Sequence, residues 1–381
     1  MKKVSSFNIY KVQCPVCGTL NQFMGIKPKA FVETGRDTDF CPMGRDWQDS
    51  KNQVKNPLLY FMATCRKCFY THELNNEFVN WEKSPEFKSL AFLSLRERYV
   101  QELNEKDGII RKMGKALKPS KDPFSAAVIK FLLGIYAECL KPIPSSYNLG
   151  RYYLRVGWIF REEKEKEKST WIRDNLVSQS LDQILKSIQT QHEDYLKKIE
   201  KLKDLMDFEF ADEKSKSKET DTKNQYRSLI DQVKEELTTL SNSVDRLQSI
   251  YKKNQQETVV PSKNDLLKLE DFLFTLKIQW SEIPVNEREA LELSLDNYKK
   301  SLTFDLKENQ RIQISYLIGE LSRRTGDLGA AREYLDLTID VGQNFIQRYS
   351  GDQLKTALAQ KILEMACQQK EMISRGKERA Q

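Results

Sequence analysis

Two short cysteine turns constrain this chain more than any other feature: Cys14-Pro15-Val16-Cys17-Gly18 and Cys65-Arg66-Lys67-Cys68. A CxxC turn aims two thiolates at one point, and two such turns provide the four soft ligands of tetrahedral Zn2+. The 47 residues between Cys17 and Cys65 exceed the roughly 15–20 of an ordinary ribbon. The segment between the turns therefore carries structure of its own. A redox pair needs a helix N-terminus behind its thiols to lower their pKa, and neither turn precedes a helical pattern. A catalytic zinc keeps one position open and usually recruits His or a carboxylate. Cys14, Cys17, Cys65 and Cys68 are thus expected to hold one structural zinc per chain. Cys41 is open to three readings: a replacement ligand, a buried small hydrophobe or a free thiol. His72, four residues past Cys68, is a further donor in principle.

The remaining composition narrows the compartment and the class. Seven cysteines, four of them in the two turns, with no apolar stretch behind Lys2-Lys3, read as metal chemistry in a reducing cytoplasm. The longest apolar run, Phe131 to Ala137, is far too short to cross a bilayer, so no membrane insertion is expected. Only two histidines are present, His72 and His192, which excludes most His-based catalytic arrangements. No phosphate-binding loop, nucleophile elbow or HExxH helix is found.

Residues 1–83 are broken by Gly and Pro, and their short apolar bursts read as strands and loops. From about residue 84 the period turns helical. Apolar residues at Tyr226, Ile230, Val233, Leu237, Leu240, Val244, Leu247 and Tyr251 form a heptad seam. A partner stripe runs through Leu181, Ile184, Ile188, Tyr195, Ile199, Leu202 and Met206. The charged stretch between them cannot bury anything and reads as a flexible tip near 210–223. Further helices are expected at about 264–281, 286–303, 308–325, 328–348 and 352–376.

Residues 312–345 follow the 34-residue tetratricopeptide pattern, with Gly319 at the helix crossing, Gly326-Asp327 at the turn, and Ala331, Leu335 and Thr338 on the second helix. An earlier helix, Gly150 to Glu162, repeats the first-helix logic through Tyr153, Val156, Gly157 and Phe160. Its second helix is expected at the start of the 170–190 segment. Aligning the two first helices puts Arg151, Trp158 and Arg161, and later Tyr316, Glu320, Arg323 and Arg324, on the groove face of such an array. Paired arginines beside aromatics suit an acidic or C-terminal peptide; ordinary solvated charges are the bland reading of the same residues. Arg36, Asp37 and Asp39 are read either as an acid/base pair or as an internal ion-pair network fixing a loop.

The fold class expected is mainly α. A small zinc-ribbon-like α+β domain (1–83) precedes a tetratricopeptide-like body in two parts (84–169 and 261–381), interrupted by a long antiparallel helical hairpin (170–260). The run Cys14-Pro15-Val16-Cys17-Gly18, Arg36-Asp37-Thr38-Asp39-Phe40-Cys41, Asn56-Pro57-Leu58-Leu59-Tyr60 and Cys65-x-x-Cys68-Phe69-Tyr70 resembles the N-terminal pattern of the bacterial domain-of-unknown-function family 2225. Tyr152 to Glu162, and Tyr316 through Asp327, resemble helices that follow it there. The resemblance covers roughly 1–195 and 265–345. It implies that the four cysteines are zinc ligands and implies no activity. The family usually carries Cys-Gly-Tyr at the second turn, where this chain has Cys68-Phe69-Tyr70.

These readings favour a non-enzymatic scaffold that binds other proteins through the repeat groove and the hairpin, with self-association through the hairpin also open. The alternative is nucleic-acid binding by the head: residues 1–80 hold 11 Lys and Arg against 7 Asp and Glu. For the whole chain the surplus is only 62 − 55 = +7, which by itself does not imply nucleic acid. An enzyme using the carboxylates near 36–39 is a third reading.

Overall fold

The computed structural model describes residues 6–52, 55–119, 122–209, 224, 227–239, 241–242, 244–245, 261–304 and 306–378. It divides into two compact units, one formed by Met1–Lys164 with Asp265–Gln381 and the other by Glu165–Asn264.

The first unit begins with three antiparallel strand pairs. β1 (Phe7–Gln13) pairs with β2 (Leu20–Ile26), β3 (Phe31–Arg36) with β4 (Pro42–Trp47), and β5 (Met62–Thr64) with β6 (Thr71–Glu73). The first cysteine turn closes β1 onto β2, where Gln13 faces Leu20, and the second closes β5 onto β6, where Thr64 faces Thr71. Both CxxC turns are therefore hairpin ends. The β3–β4 pair shifts register around Gly35, and its connecting loop, residues 37–41, is a tight turn in which the Asp37 N–H meets the Cys41 carbonyl at 2.8 Å and the Phe40 N–H the Asp37 carbonyl at 2.9 Å.

Helices follow: α1 (Asn76–Val79), α2 (Pro85–Lys88), α3 (Leu90–Asn104), α4 (Ile109–Ala116), α5 (Pro123–Cys139) and α6 (Ser146–Glu209). α5 is the apolar centre. It starts with Pro123 behind Asp122, whose carboxylate accepts from the Ser125 N–H, and it buries Val128, Phe131, Leu132, Leu133 and Ile135 completely. The run Phe131 to Ala137 thus lies in a core helix that packs on β5, β6 and the Pro57–Tyr60 turn. One apolar cluster joins Val12 and Cys14, Cys65 and Cys68 to Tyr99, Ile110, Phe131, Tyr153 and Leu273. The strand region and the helices consequently share a core.

The chain continues with α7 (Pro261–Lys277), α8 (Glu287–Ser301), α9 (Glu308–Thr325), α10 (Leu328–Arg348) and α11 (Gln353–Glu378). Gly326, at φ +98°, ends α9, and Asp327 caps α10 through the Ala330 N–H. Gly319 allows the α9–α10 approach: a Cβ there would stand 2.9 Å from Leu335 Cγ.

The partner of the Gly150–Glu162 helix differs from expectation. It is α8, not the 170–190 segment. Ser294 Oγ donates to the Gly150 carbonyl at 2.9 Å. Gly150 lies under the Tyr298 ring and Gly157 under Leu291. Two glycines seven residues apart receive two large side chains seven apart in the opposite order, which fixes an antiparallel pair. Sequence order puts the second helix next in line, whereas the chain interposes the second unit between the two members.

In the second unit, His192 Nε2 and the Leu237 carbonyl are 3.1 Å apart, so the later part of α6 and the helical residues 227–239 meet within one chain. Ile188, His192 and Leu196 are half-buried and Ile199 is buried, opposite half-buried Ile230 and Leu237. Tyr195 and Leu202, expected in the seam, are exposed, and Val233 is 40 % exposed. A straight helix of 3.6 residues per turn drifts from a strict 3.5 repeat, so the buried stripe shifts to His192 and Leu196. The side chains of Leu181, Ile184, Met206, Tyr226, Leu240, Leu247 and Tyr251, and the tip near 210–223, lie outside what is described.

Candidate functional site

The two hairpin ends bring Cys14, Cys17, Cys65 and Cys68 together, with their Sγ atoms all within 4.8 Å of one another. Cys14 and Cys68 are 3.5 Å apart and Cys17 and Cys65 3.6 Å. Four sulfurs at about 2.3 Å from a tetrahedral zinc stand about 3.8 Å apart, so the cluster is already near the size a zinc ion needs. The turns are copies of each other. The Gly18 N–H reaches the Cys14 carbonyl at 2.8 Å and the Phe69 N–H the Cys65 carbonyl at 3.0 Å, and Gly18 and Phe69 share left-handed φ values of +70° and +62°. Buried Asn21 donates to Cys65 Sγ at 3.5 Å and accepts from the Arg66 N–H at 3.0 Å; Lys67 N–H also points at Cys65 Sγ. Tyr99 OH anchors the Cys68 carbonyl from α3.

Crowding splits the titration of Cys14, Cys65 and Cys68. Hydrogen bonds with Cys14 and Cys68 hold Cys65 below its usual range, while bonds with Cys65 push Cys14 up and bonds with Cys14 push Cys68 up. A divalent soft cation is the group that such a donor set fits. With all four positions filled by sulfur, it would supply cross-linking and no reactive water. His72 is not in the cluster: its Nδ1 meets the Glu73 carbonyl and its ring stacks on Phe78. Cys41 is outside as well. It is buried near Asp39, and burial first, then that carboxylate, push its thiol to about 12.

The second constellation is built around the loop Asp37-Thr38-Asp39-Phe40. Asp39 is fully buried and receives Arg161 at 2.7 and 3.1 Å and Trp158 Nε1 at 3.2 Å. Arg161 also meets Asp37 at 3.0 Å and Glu287 at 2.6 Å. From α9, Tyr316 OH donates to the Thr38 carbonyl at 2.7 Å, Arg324 reaches Asp37 and the Thr38 hydroxyl at 2.8 Å each, and Thr38 donates to buried Glu320. The Phe40 ring lies 5.3 Å from that of Tyr316. Burial raises Asp37, yet the Thr38 N–H and Arg324 outweigh it and hold the carboxyl below its ordinary value. Burial likewise opposes the charge of Arg161, but its bonds to Asp39 and Glu287 raise it overall. These are the contacts of a closed ion-pair network, in which Asp37, Asp39, Glu287 and Glu320 share the guanidiniums of Arg161, Arg323 and Arg324.

Residues 9–201, just over half of the chain, match a family described as "Uncharacterized protein conserved in bacteria (DUF2225)". The chain belongs to the DUF2225 family. No curated protein and no solved structure matches it. The DUF2225 match contains both cysteine turns, the 37–41 loop and most of α6.

Within this DUF2225 chain the expected groove residues divide. Trp158, Arg161, Tyr316, Glu320 and Arg324 converge, but on the chain's own loop, and Arg323 pairs with Glu320 at 2.7 Å. Arg151 lies elsewhere, reaching Asn148 at 3.3 Å and Glu73 at 3.4 Å. The surface expected to grip a foreign acidic peptide is occupied here by an acidic segment of the same molecule. Sequence reasoning missed Asn21, Glu287 and Glu162. Glu162 accepts from Arg45 at 3.0 Å and from Asn56 at 2.6 Å, while Asn56 caps the Pro57 turn. Its adjacency to Arg161 was the available signal: Arg161-Glu162 holds the 37–39 loop with one side chain and the Asn56 turn with the next.

Proposed function

We propose that this protein is a non-enzymatic scaffold of the bacterial cytoplasm, in which a structural zinc braces the strand region and the helical hairpins recognise other proteins. The observation that carries this reading is the seating of Asp37-Thr38-Asp39 on α6 and α9. That face is filled by the chain's own loop, so it serves as a precedent and not as the docking place: its arginines, tyrosine hydroxyl and aromatic shelf are the chemistry by which this helical body holds an acidic, extended segment. The antiparallel α6–α8 pair and the α9–α10 hairpin, with small residues at their crossings, support a tetratricopeptide-like body. Such hairpins leave an end face unless another layer covers it. Among the described residues no helix is long and apolar enough to cross a membrane, in keeping with the compartment proposed.

The test is affinity capture of the full chain from its native cells, beside a chain lacking 200–255. A stoichiometric protein partner retained at about 200 mM salt supports the scaffold reading, and its loss from the deletion assigns the contact to the hairpin. Capture of nucleic acid alone, weakening steeply between about 50 and 200 mM salt, overturns it in favour of the basic strand region.

A further inference from the structure

The Asp37–Phe40 loop also borders a second surface, made by the strand region and α11. Beyond Phe40 a cavity of ≈ 950 Å3 opens between the β2–β3 region and α11. Its floor is apolar: Ile26, Phe31 and Phe40 on one side, Leu358, Ile362 and Met365 on the other. Ile362 is buried, Leu358 is 50 % exposed, and the rest are half-buried. The stripe continues along α11 to Leu354, at 95 % exposure, so the site is an open trough and not a closed pocket. Its rim is basic. Lys27, Lys29, Lys361 and Arg36 line it against one carboxylate, Glu33, which is already committed to Arg36 at 2.7 Å. Lys27, Lys29 and Lys361 have no ion-pair partner among the described residues.

We propose that this trough docks an acidic amphipathic segment of a partner protein, its apolar side chains on the Phe31–Phe40–Ile362 floor and its carboxylates on Lys27, Lys29 and Lys361. The inference rests on the scaffold reading and gives it a location and a partner chemistry. Charge complementarity selects the occupant, since three unpaired ammonium groups around an apolar floor match alternating carboxylates and apolar anchors. Continuity supports it. The molecule already seats Asp37 and Asp39 immediately beside the trough, and Phe40 lines both places. An acyl chain would need the enclosure that half-exposed walls do not give. Nucleic acid would need stacking faces along its whole track, whereas Phe31 and Phe40 stand on one wall only and α11 opposite them offers Leu358, Ile362 and Met365.

The experiment uses the full chain and a labelled helical peptide of about 12 residues with Leu and Phe at i, i+3, i+4 spacing and Glu between them. A twin carries Lys in place of Glu. Fluorescence anisotropy is read for wild type, for Lys29→Glu with Lys361→Glu, and for Leu358→Asp. The acidic peptide is expected to bind wild type and to lose about tenfold in affinity in the double variant, which gains affinity for the twin. Leu358→Asp is expected to weaken the acidic peptide too. These positions are exposed, and circular dichroism confirms that the variants fold. Equal binding of peptide and twin, or binding untouched by all three substitutions, overturns the proposal. Displacement of the peptide by palmitate at equal concentration also overturns it, in favour of a lipid anion. A protein partner captured through the hairpin, with no peptide bound at the trough, would sink this inference and leave the scaffold reading standing.

Discussion

Phe69 occupies a left-handed backbone position that its counterpart Gly18 adopts without cost. A Cβ in that region costs roughly 1–2 kcal/mol, and the ring offsets it by packing flat on Gly114, where a Cβ would stand 2.3 Å from the Phe69 ring. Phe69→Ala therefore keeps the strain and loses the packing, whereas Phe69→Gly loses both. The Gly variant is expected to be the more stable of the two by about 1 kcal/mol, measured by urea denaturation; the reverse order would mean that the turn is unstrained. Asp39 is fully enclosed and both its oxygens accept, from Arg161 and Trp158, so Asp39→Asn sets a buried amide donor against those donors and is expected to cost about 3 kcal/mol. Asp37→Asn, at a side chain 31 % exposed, is expected to cost about 1 kcal/mol or less. Thermal unfolding followed by Trp fluorescence checks the pair, and equal losses would show that burial does not set the scale.

Between elements, the clearest coupling joins α2, α5 and β6. Lys141, just past α5, bonds Glu86 of α2 at 3.2 Å and Glu138 of α5 at 2.8 Å, and His72 of β6 lies 3.7 Å from Glu86. His72 first, then Lys141, pull the Glu86 carboxyl down to about 2 from an ordinary 4.5, against the effect of burial. A carboxyl depressed on folding stabilises the fold above its unfolded pKa, and that contribution fades as pH falls toward the folded value. Glu86→Gln is thus expected to lower stability near pH 7 by about 1 kcal/mol, since solvent screens part of the interaction. The gap to wild type should close between pH 4.5 and 2; a gap independent of pH would mean that shape, and not charge, matters at this position.

The same scale shows which pairings a sequence can reveal. α9 and α10 were legible because everything that joins them is local: Gly326 for the turn, Asp327 for the cap, Gly319 opposite Leu335. The α6–α8 pair uses the same small-residue device, but its members are separated by the entire second unit, so nothing near Gly150 pointed to Tyr298. In the second unit the apolar period was legible and its register was not. Helical pitch, which moves burial from Tyr195 to Leu196, is a property of the folded helix. At the candidate site, the cysteines announced themselves because CxxC is a local geometry. The destination of Asp37 and Asp39 did not, since their arginines lie more than 100 residues downstream.

At the scale of the whole molecule, the division into two units makes the second one separable. Phe160, before it, and Leu269, after it, are buried in the same apolar cluster as Tyr153 and Leu273, so both flanks are held independently of what lies between. Ser294 on Gly150 and Tyr153 OH on the Glu282 carbonyl at 2.9 Å close the pair from the other side. A chain in which residues 166–263 are replaced by a short Gly-Ser linker is expected to fold cooperatively and to bind one zinc. Its stability should lie within about 1 kcal/mol of the parent, because little beyond loop closure changes. Metal analysis and thermal unfolding check this, and chelation should unfold the deletion variant and the parent alike if the four thiolates need the ion to stay together. An insoluble or zinc-free product would show that the second unit helps to hold α6 against α8, and that the apolar cluster around Tyr153 is not sufficient by itself.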